Sequence, residues 1–314
     1  MKAFILAGGF ATRLWPLTEK RAKPLLPVAG KPLVSYLAHQ IPKDIPITLS
    51  TNAAFADDFG AWKKTVGRDV EILIEDAGHD SQKLGALGAV RAWILNQKID
   101  DDILLLAGDN FVGCPMSQFL SAYKGRTLIA GYDIGSIEAA SSFGTVVMNG
   151  DGTVQSFEEK PMNPRSTIIS TGWSILPRAT LPILTDYAKT HPDNIGGIFE
   201  ELLRQNTTID CFTFTELWKD IGSFEAYLDL HRSLVGEKVL KAPGVQIEGT
   251  ECHGSVDLGA GTTVTNSILS DCIVFGDTTI NNCVLRECIV DTGCTLEGID
   301  LEGKMLRAGT VLRK

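Results

Sequence analysis

No uninterrupted apolar run in this 314-residue sequence approaches the roughly 18 residues that a membrane-spanning helix needs. The early run FILAGG, residues 4–9, is too short and too rich in glycine for the core of a secretory signal. The expectation is therefore a cytoplasmic protein without a membrane partner. The seven cysteines are odd in number and include no C-x-x-C pair, which argues against a disulfide framework or a zinc knuckle. Five histidines (His39, His79, His191, His231 and His253) show no metal-ligand spacing and supply no nucleophile-base pair. A broad basic face is missing too: the formal net charge is -9, which speaks against nucleic acid as the main partner. Neither a G-x-x-x-x-G-K-[ST] loop nor a G-x-G-x-x-G fingerprint occurs.

What is present is enough apolar material, 44% of the residues, for a large core plus a smaller unit. Residues 3–7 (AFILA), 46–51 (PITLST), 70–76 (VEILIED) and 102–109 (DILLLAGD) are short apolar runs spaced widely enough for intervening helices. That pattern predicts parallel strands covered on both faces, an α/β sheet. Two of the runs end in Gly8-Gly9 and in Gly108-Asp109-Asn110. Ligands of open α/β sheets gather at such carboxyl ends. Residues 144–161 read as a hairpin turning at Asn149-Gly150-Asp151-Gly152, 177–206 as helical, and 216–234 as strand, turn and amphipathic helix.

From about Pro243 the texture changes. TTVTNSILSDCIV (262–274) overlays TTINNCVLRECIV (278–290) at an offset of sixteen, and Cys294-Thr295-Leu296 opens a third, degenerate copy. Such a period, with β-branched residues and glycine in place of helix formers, predicts a short left-handed β-helix of a few coils. The recurring Cys272 and Cys288 then form an inward-facing stack. Its terminal coils need covering, so a homo-oligomer is expected.

Against the acidic average, residues 6–32 hold Arg13, Lys20, Arg21, Lys23 and Lys31 with the single acid Glu19. Gly8 and Gly9 let backbone N–H groups approach an anion, Thr12 adds a hydroxyl, and Arg13 offers a fork suited to phosphate oxygens. Two glycines after a strand are equally often a plain turn. Lys20 and Lys31 read best as solvated charges. Asp109 taken alone reads as a turn aspartate, and Asp220 as a cap of the helix beginning near Ser223.

The whole string decides between these readings. GGFATRLWPLT (8–18) and AKPLLPVAGKP (22–32), followed by LLLAGDN (104–110), FEEKP (157–161), Thr171-Gly172 and WKDIG (218–222), resemble in order and spacing the sugar-1-phosphate nucleotidyltransferases. That family includes glucose-1-phosphate thymidylyltransferase and mannose-1-phosphate guanylyltransferase. The resemblance implies a Rossmann-like catalytic domain over 1–235 and a left-handed β-helix over 243–314. It implies in-line attack of a sugar 1-phosphate on the α-phosphate of a nucleoside triphosphate, with pyrophosphate leaving. By that likeness Arg13, Lys23, Asp109, Lys160 and Asp220 are catalytic, and Asp109 and Asp220 hold Mg2+. Leu6, Gly8, Gly9, Thr12, Arg13, Gln82 and Gly85 bind the nucleotide. Asn110, Gly144, Glu159, Lys160, Thr171 and Gly172 bind the sugar phosphate. Gln82 favours a pyrimidine, hence glucose 1-phosphate with dTTP or UTP; mannose 1-phosphate with GTP, or a non-catalytic sugar-nucleotide sensor, are the alternatives. Two positions depart from the family pattern: Ala22 stands where a proline usually precedes the lysine, and Ala86 replaces a threonine.

Overall fold

The computed structural model describes residues 1–75 and 84–314. They form two compact units, a sheet unit of Met1–Gly9 with Val34–Trp218 and a coil unit of Phe10–Leu33 with Lys219–Lys314. The division runs through the N-terminal signature. Phe10–Leu33 and the helix Phe224–Val235 group with the coils; the resemblance places both within the expected catalytic domain, residues 1–235.

The sheet unit is built on nine strands, labelled in chain order: β1 Lys2–Leu6, β2 Ile47–Asn52, β3 Glu71–Glu75, β4 Ile103–Ala107, β5 Thr127–Asp133, β6 Gly144–Met148, β7 Val154–Glu159, β8 Ile168–Leu176 and β9 Ile209–Phe214. Their order is β7-β6-β8-β4-β1-β2-β3, with β5 beside β8 and β9 beside β5. β1 runs parallel to β2 and β4, and β2 to β3. These are the four apolar runs read from the sequence. β8 is antiparallel to β4, β5 and β6, which makes the sheet mixed. Phe4, Ile103 and Leu105 are buried together with Trp93 and Ile94 of the helix Ala86–Asn96, giving the continuous apolar strands that a sheet covered by helices requires. The expected hairpin is β6–β7, and the helical stretch after Pro177 resolves into Leu181–Tyr187 and Gly197–Arg204.

In the coil unit, parallel strands pair at steps of sixteen: Thr263 with Thr279 and Thr279 with Thr295, Ile268 with Val284 and Val284 with Asp300. Each coil turns at residues with positive φ. These recur as Gly261, Asp277, Gly293 and Gly309, as Asn266, Asn282 and Gly298, and as Asp271, Glu287 and Gly303. Glycine, asparagine and aspartate accept that left-handed conformation at least cost, and they hold nine of these ten corners, Glu287 being the exception. The first step is seventeen residues, Gln246 to Thr263, with an irregularity between His253 and Val256. Val264, Ile280 and Leu296 fill the interior with Cys272, Cys283, Cys288 and Cys294. The cysteines are free thiols, and burial pushes the Cys272 thiol up to about 12, so it stays protonated at neutral pH.

Candidate active site

Site residues of the sheet unit cluster at strand ends. β1 stops at Leu6, whose carbonyl accepts a hydrogen bond from Gly108 N at 2.9 Å, so the two glycine-bearing turns leave neighbouring strands side by side. Asn52 Nδ2 donates to the Gly8 carbonyl at 2.9 Å. A Cβ on Gly8 would stand 3.2 Å from Glu75 Oε1, whereas one on Gly9 would meet nothing within 4 Å. Packing accounts for a glycine at position 8 but not at 9. Glu75 accepts from Ser50 Oγ at 2.7 Å, and burial holds its carboxyl above the ordinary range despite that bond. Glu75, Ser50 and Asn52 border the loop without having carried a motif. Their only signal was position, at the carboxyl ends of β2 and β3.

Asp109 occupies the turn after β4, and Asn110 beside it donates from Nδ2 to the Thr171 carbonyl at 3.1 Å. Thr171 is wholly buried, its hydroxyl donating to Ala130 O. At Gly172, φ is +82° and a Cβ would lie 2.6 Å from that of Ala107, so only glycine fits here, where β8 runs antiparallel beside β4. Glu159 ends β7. Its carboxylate lies so close to Gly144 and Gly196 that a Cβ on either would collide with Oε2. Burial raises the Glu159 carboxyl, Lys160 opposes the shift, and Glu200 adds to it. Lys160 follows with φ +46°, its exposed ammonium 3.9 Å from Glu159. Gly85 precedes the helix Ala86–Asn96 at φ +79° and fits closely over the Pro192 carbonyl. Gln82 lies outside the described residues.

A second cluster belongs to the coil unit. Thr12 and Arg13 sit exposed on a short 3-10 turn, Thr12–Leu14, and Lys23 opens another, Lys23–Leu25. Lys23 is only 6% exposed, and its ammonium donates to Asp220 Oδ1 at 2.5 Å. A Cβ on Gly222 would stand 3.1 Å from both Arg13 Nη2 and Asp220 Oδ2, which brings these three residues to one place. Ser223, not Asp220, caps the following helix, accepting from Ala226 N at 3.2 Å. Ala22 is buried with φ -64°, the angle a proline would impose, so the departure from the family pattern leaves the backbone path unchanged. Arg21, which sequence reading leaves between solvent and site, instead pairs with Asp291.

A sequence model of the nucleotidyl transferase family matches residues 2–236. The chain belongs to this family. It is similar, at 26% identity over 99% of this chain and 88% of the other, to a glucose-1-phosphate thymidylyltransferase of Streptomyces antibioticus. A glucose-1-phosphate adenylyltransferase of Thermotoga maritima is 30% identical over 74% of this chain and 60% of its own length. The fold matches the crystal structure of a Bacillus anthracis protein assigned as a glucose-1-phosphate thymidylyltransferase, with a TM-score of 0.62, 20% identity and coverage of 74% and 94%. The protein is thus an enzyme of the sugar-1-phosphate nucleotidyltransferase family, with a Rossmann-like sheet unit and a β-helix. Among the described residues no helix is long and apolar enough to cross a membrane.

Proposed function

We propose that the chain joins glucose 1-phosphate to the nucleotidyl group of dTTP or UTP, with Mg2+, in the catalytic domain of residues 1–235. A phosphate oxygen of the sugar 1-phosphate attacks the α-phosphorus, the bond to the β-phosphate oxygen breaks, and pyrophosphate departs. Both reactants are anions, so the reaction needs neutralisation and alignment more than a covalent catalyst. The observation that carries this reading is the buried Lys23 ammonium held on Asp220 with Arg13 alongside. A fixed cation in a dry setting stabilises charge developing on a transferring phosphoryl group without reorganising. In this reading the loop from Leu6 through Gly8, Gly9 and Thr12 to Arg13 takes the triphosphate, with Gly85 and Gln82 toward the base. Lys160 takes the sugar's phosphate. Glu159, with Asn110, Gly144, Thr171 and Gly172 around it, takes the sugar.

Asp109 and Asp220 offer hard carboxylate oxygens, and no group of three or more His, Cys, Asp and Glu forms a cage among the described residues. By the family likeness each would be a ligand of Mg2+, an ion that takes one or two carboxylates and draws its remaining ligands from substrate phosphates and water. Bound there, the ion would supply charge neutralisation on the phosphates. Asp109→Asn and Asp220→Asn are each expected to lower kcat about 10²-fold, the loss deepest at limiting Mg2+. Unchanged kcat in both variants under limiting Mg2+ removes the metal assignment.

The sugar and base rest on likeness, and the relatives themselves use different nucleotides. Pyrophosphate release measured for dTTP, UTP, ATP and GTP against several sugar 1-phosphates is expected to be fastest with glucose 1-phosphate and a pyrimidine. Preference for GTP with mannose 1-phosphate overturns that choice, and nucleotide binding without turnover supports a sensing subunit instead. A homo-oligomeric, cytoplasmic enzyme completes the proposal.

A further inference from the structure

The period that stacks the coils also lines up one column beside a corner. Val274, Val290 and Leu306 are partners in successive coils, so the residues after them, Phe275, Asp291 and Arg307, stand one above another. Equivalent positions of a solenoid are free to repeat one residue type. Here they are an aromatic ring, an acid and a base, and each meets the signature segment Phe10–Leu33 within the coil unit. The Arg21 guanidinium lies 4.8 Å from the Phe275 ring centroid, with Nη1 donating to Asp291 Oδ1 at 3.2 Å. Arg307 pairs with Glu19. Asp291 is 5% exposed, a burial that a carboxylate tolerates only with partners; Arg21 supplies one and Thr292 N, at 2.7 Å, another. In the coil before that of Phe275, Asp257, which is partner to Ile273 and so lies two residues short of the column, accepts from Gly30 N at 2.9 Å.

Glu19, Arg21 and Gly30 thus bracket Lys23, which lies two residues beyond Arg21. The segment between them has only short 3-10 turns and a two-residue strand pair, so it does little to order itself. Apolar contact alone would not set its register. The charges do: sliding by one coil, about 4.8 Å, in one direction would bring Arg21 against Arg307, and in the other would bring Glu19 against Asp291 and leave that buried acid without its cation.

We propose that the column Phe275–Asp291–Arg307 is a positioning device for the nucleotide loop, holding Arg21 and thereby Lys23 in catalytic register. This rests on the nucleotidyl-transfer reading above. Phe275, Asp291 and Arg21 are positioning residues and touch no substrate. The β-helix acquires a role in turnover through this contact.

The test uses the full chain with Arg21→Ala, Asp291→Asn, the double variant and Arg21→Lys, read by steady-state pyrophosphate release and by hydrogen exchange of residues 10–33. Each disruptive single change is expected to lower kcat about tenfold, and the double variant to be no worse than the more damaging single, because both break one contact. Arg21→Lys, which keeps the charge over Phe275, recovers part of kcat. Exchange rises across 10–33 and stays unchanged in Ile103–Ala107. Wild-type kcat in the variants, or multiplicative losses, overturns the proposal. A wild-type chain that releases no pyrophosphate removes the nucleotidyl-transfer reading instead, and unchanged exchange in Arg21→Ala shows separately that the column does not hold the loop.

Discussion

Replacing Lys23 by Met is expected to lower kcat by about 10³-fold while nucleotide binding persists. Methionine keeps the length and apolar contacts of the side chain, so the change removes one charge and little volume. Lys23 is buried and its Nζ sits 2.5 Å from Asp220, so water cannot take over the ammonium's role. On the proposed reading the charge lost is one aimed at phosphate oxygens, so its effect belongs to the transition state more than to the ground state. The same substitution strips Asp220 of its partner. With Asp220 about one-fifth exposed, that adds a stability cost of about 1–3 kcal/mol, less than a fully buried pair would show. Thermal unfolding measured beside kcat separates the two effects, and Lys23→Arg is expected to restore the melting temperature more fully than the rate. Wild-type turnover in Lys23→Met would remove the lysine from the proposed chemistry.

The second large effect concerns acid. His231, on the helix Phe224–Val235, is wholly buried, and neither ring nitrogen has a hydrogen-bond partner among the described residues. Burial pushes its pKa from 6.5 down to about 4; Asp271 works against that shift and Arg232 adds to it. The folded chain therefore resists a proton that the unfolded chain accepts. Above pH 6.5 both states hold a neutral ring and nothing is lost. As pH falls from there to about 4 the unfolded state gains, and stability declines by about 3 kcal/mol before levelling off. Denaturant unfolding of the wild type and His231→Phe at pH 7.5 and at pH 4 is expected to show a fall smaller by about 3 kcal/mol in the variant. Equal falls in the two proteins would mean that His231 is not the group responsible.

The two residues illustrate different degrees of legibility. Lys23 was legible through the resemblance of A-K-P-L-L-P-V-A-G-K-P to the family's signature, a likeness carried by contiguous residues. His231 carried no readable signal: its i, i+3 and i+4 neighbours on the helix do not disclose that both ring nitrogens are buried without a partner among the described residues. The same holds for Arg21. In sequence it is one cation among five, and its partner Asp291 is 270 residues away. The strand runs, the β6–β7 hairpin and the sixteen-residue coils were readable because alternation, turn chemistry and repeats act over short distances. A segment's membership of a compact unit depends on what it packs against, and composition says little about that.

Amino-acid order alone determined the strand-ending glycines, the phosphate-suited cations and the stacking period, since each depends on backbone freedom or side-chain chemistry within a few residues. Three-dimensional packing alone decided which carboxylate each cation meets, why Glu159 lies against Gly144 and Gly196, and that Phe275, Asp291 and Arg307 meet the segment holding Glu19 and Arg21. Those pairings bring together groups tens to hundreds of residues apart. They cost too much in chain entropy to form until the sheet and coils have assembled around them.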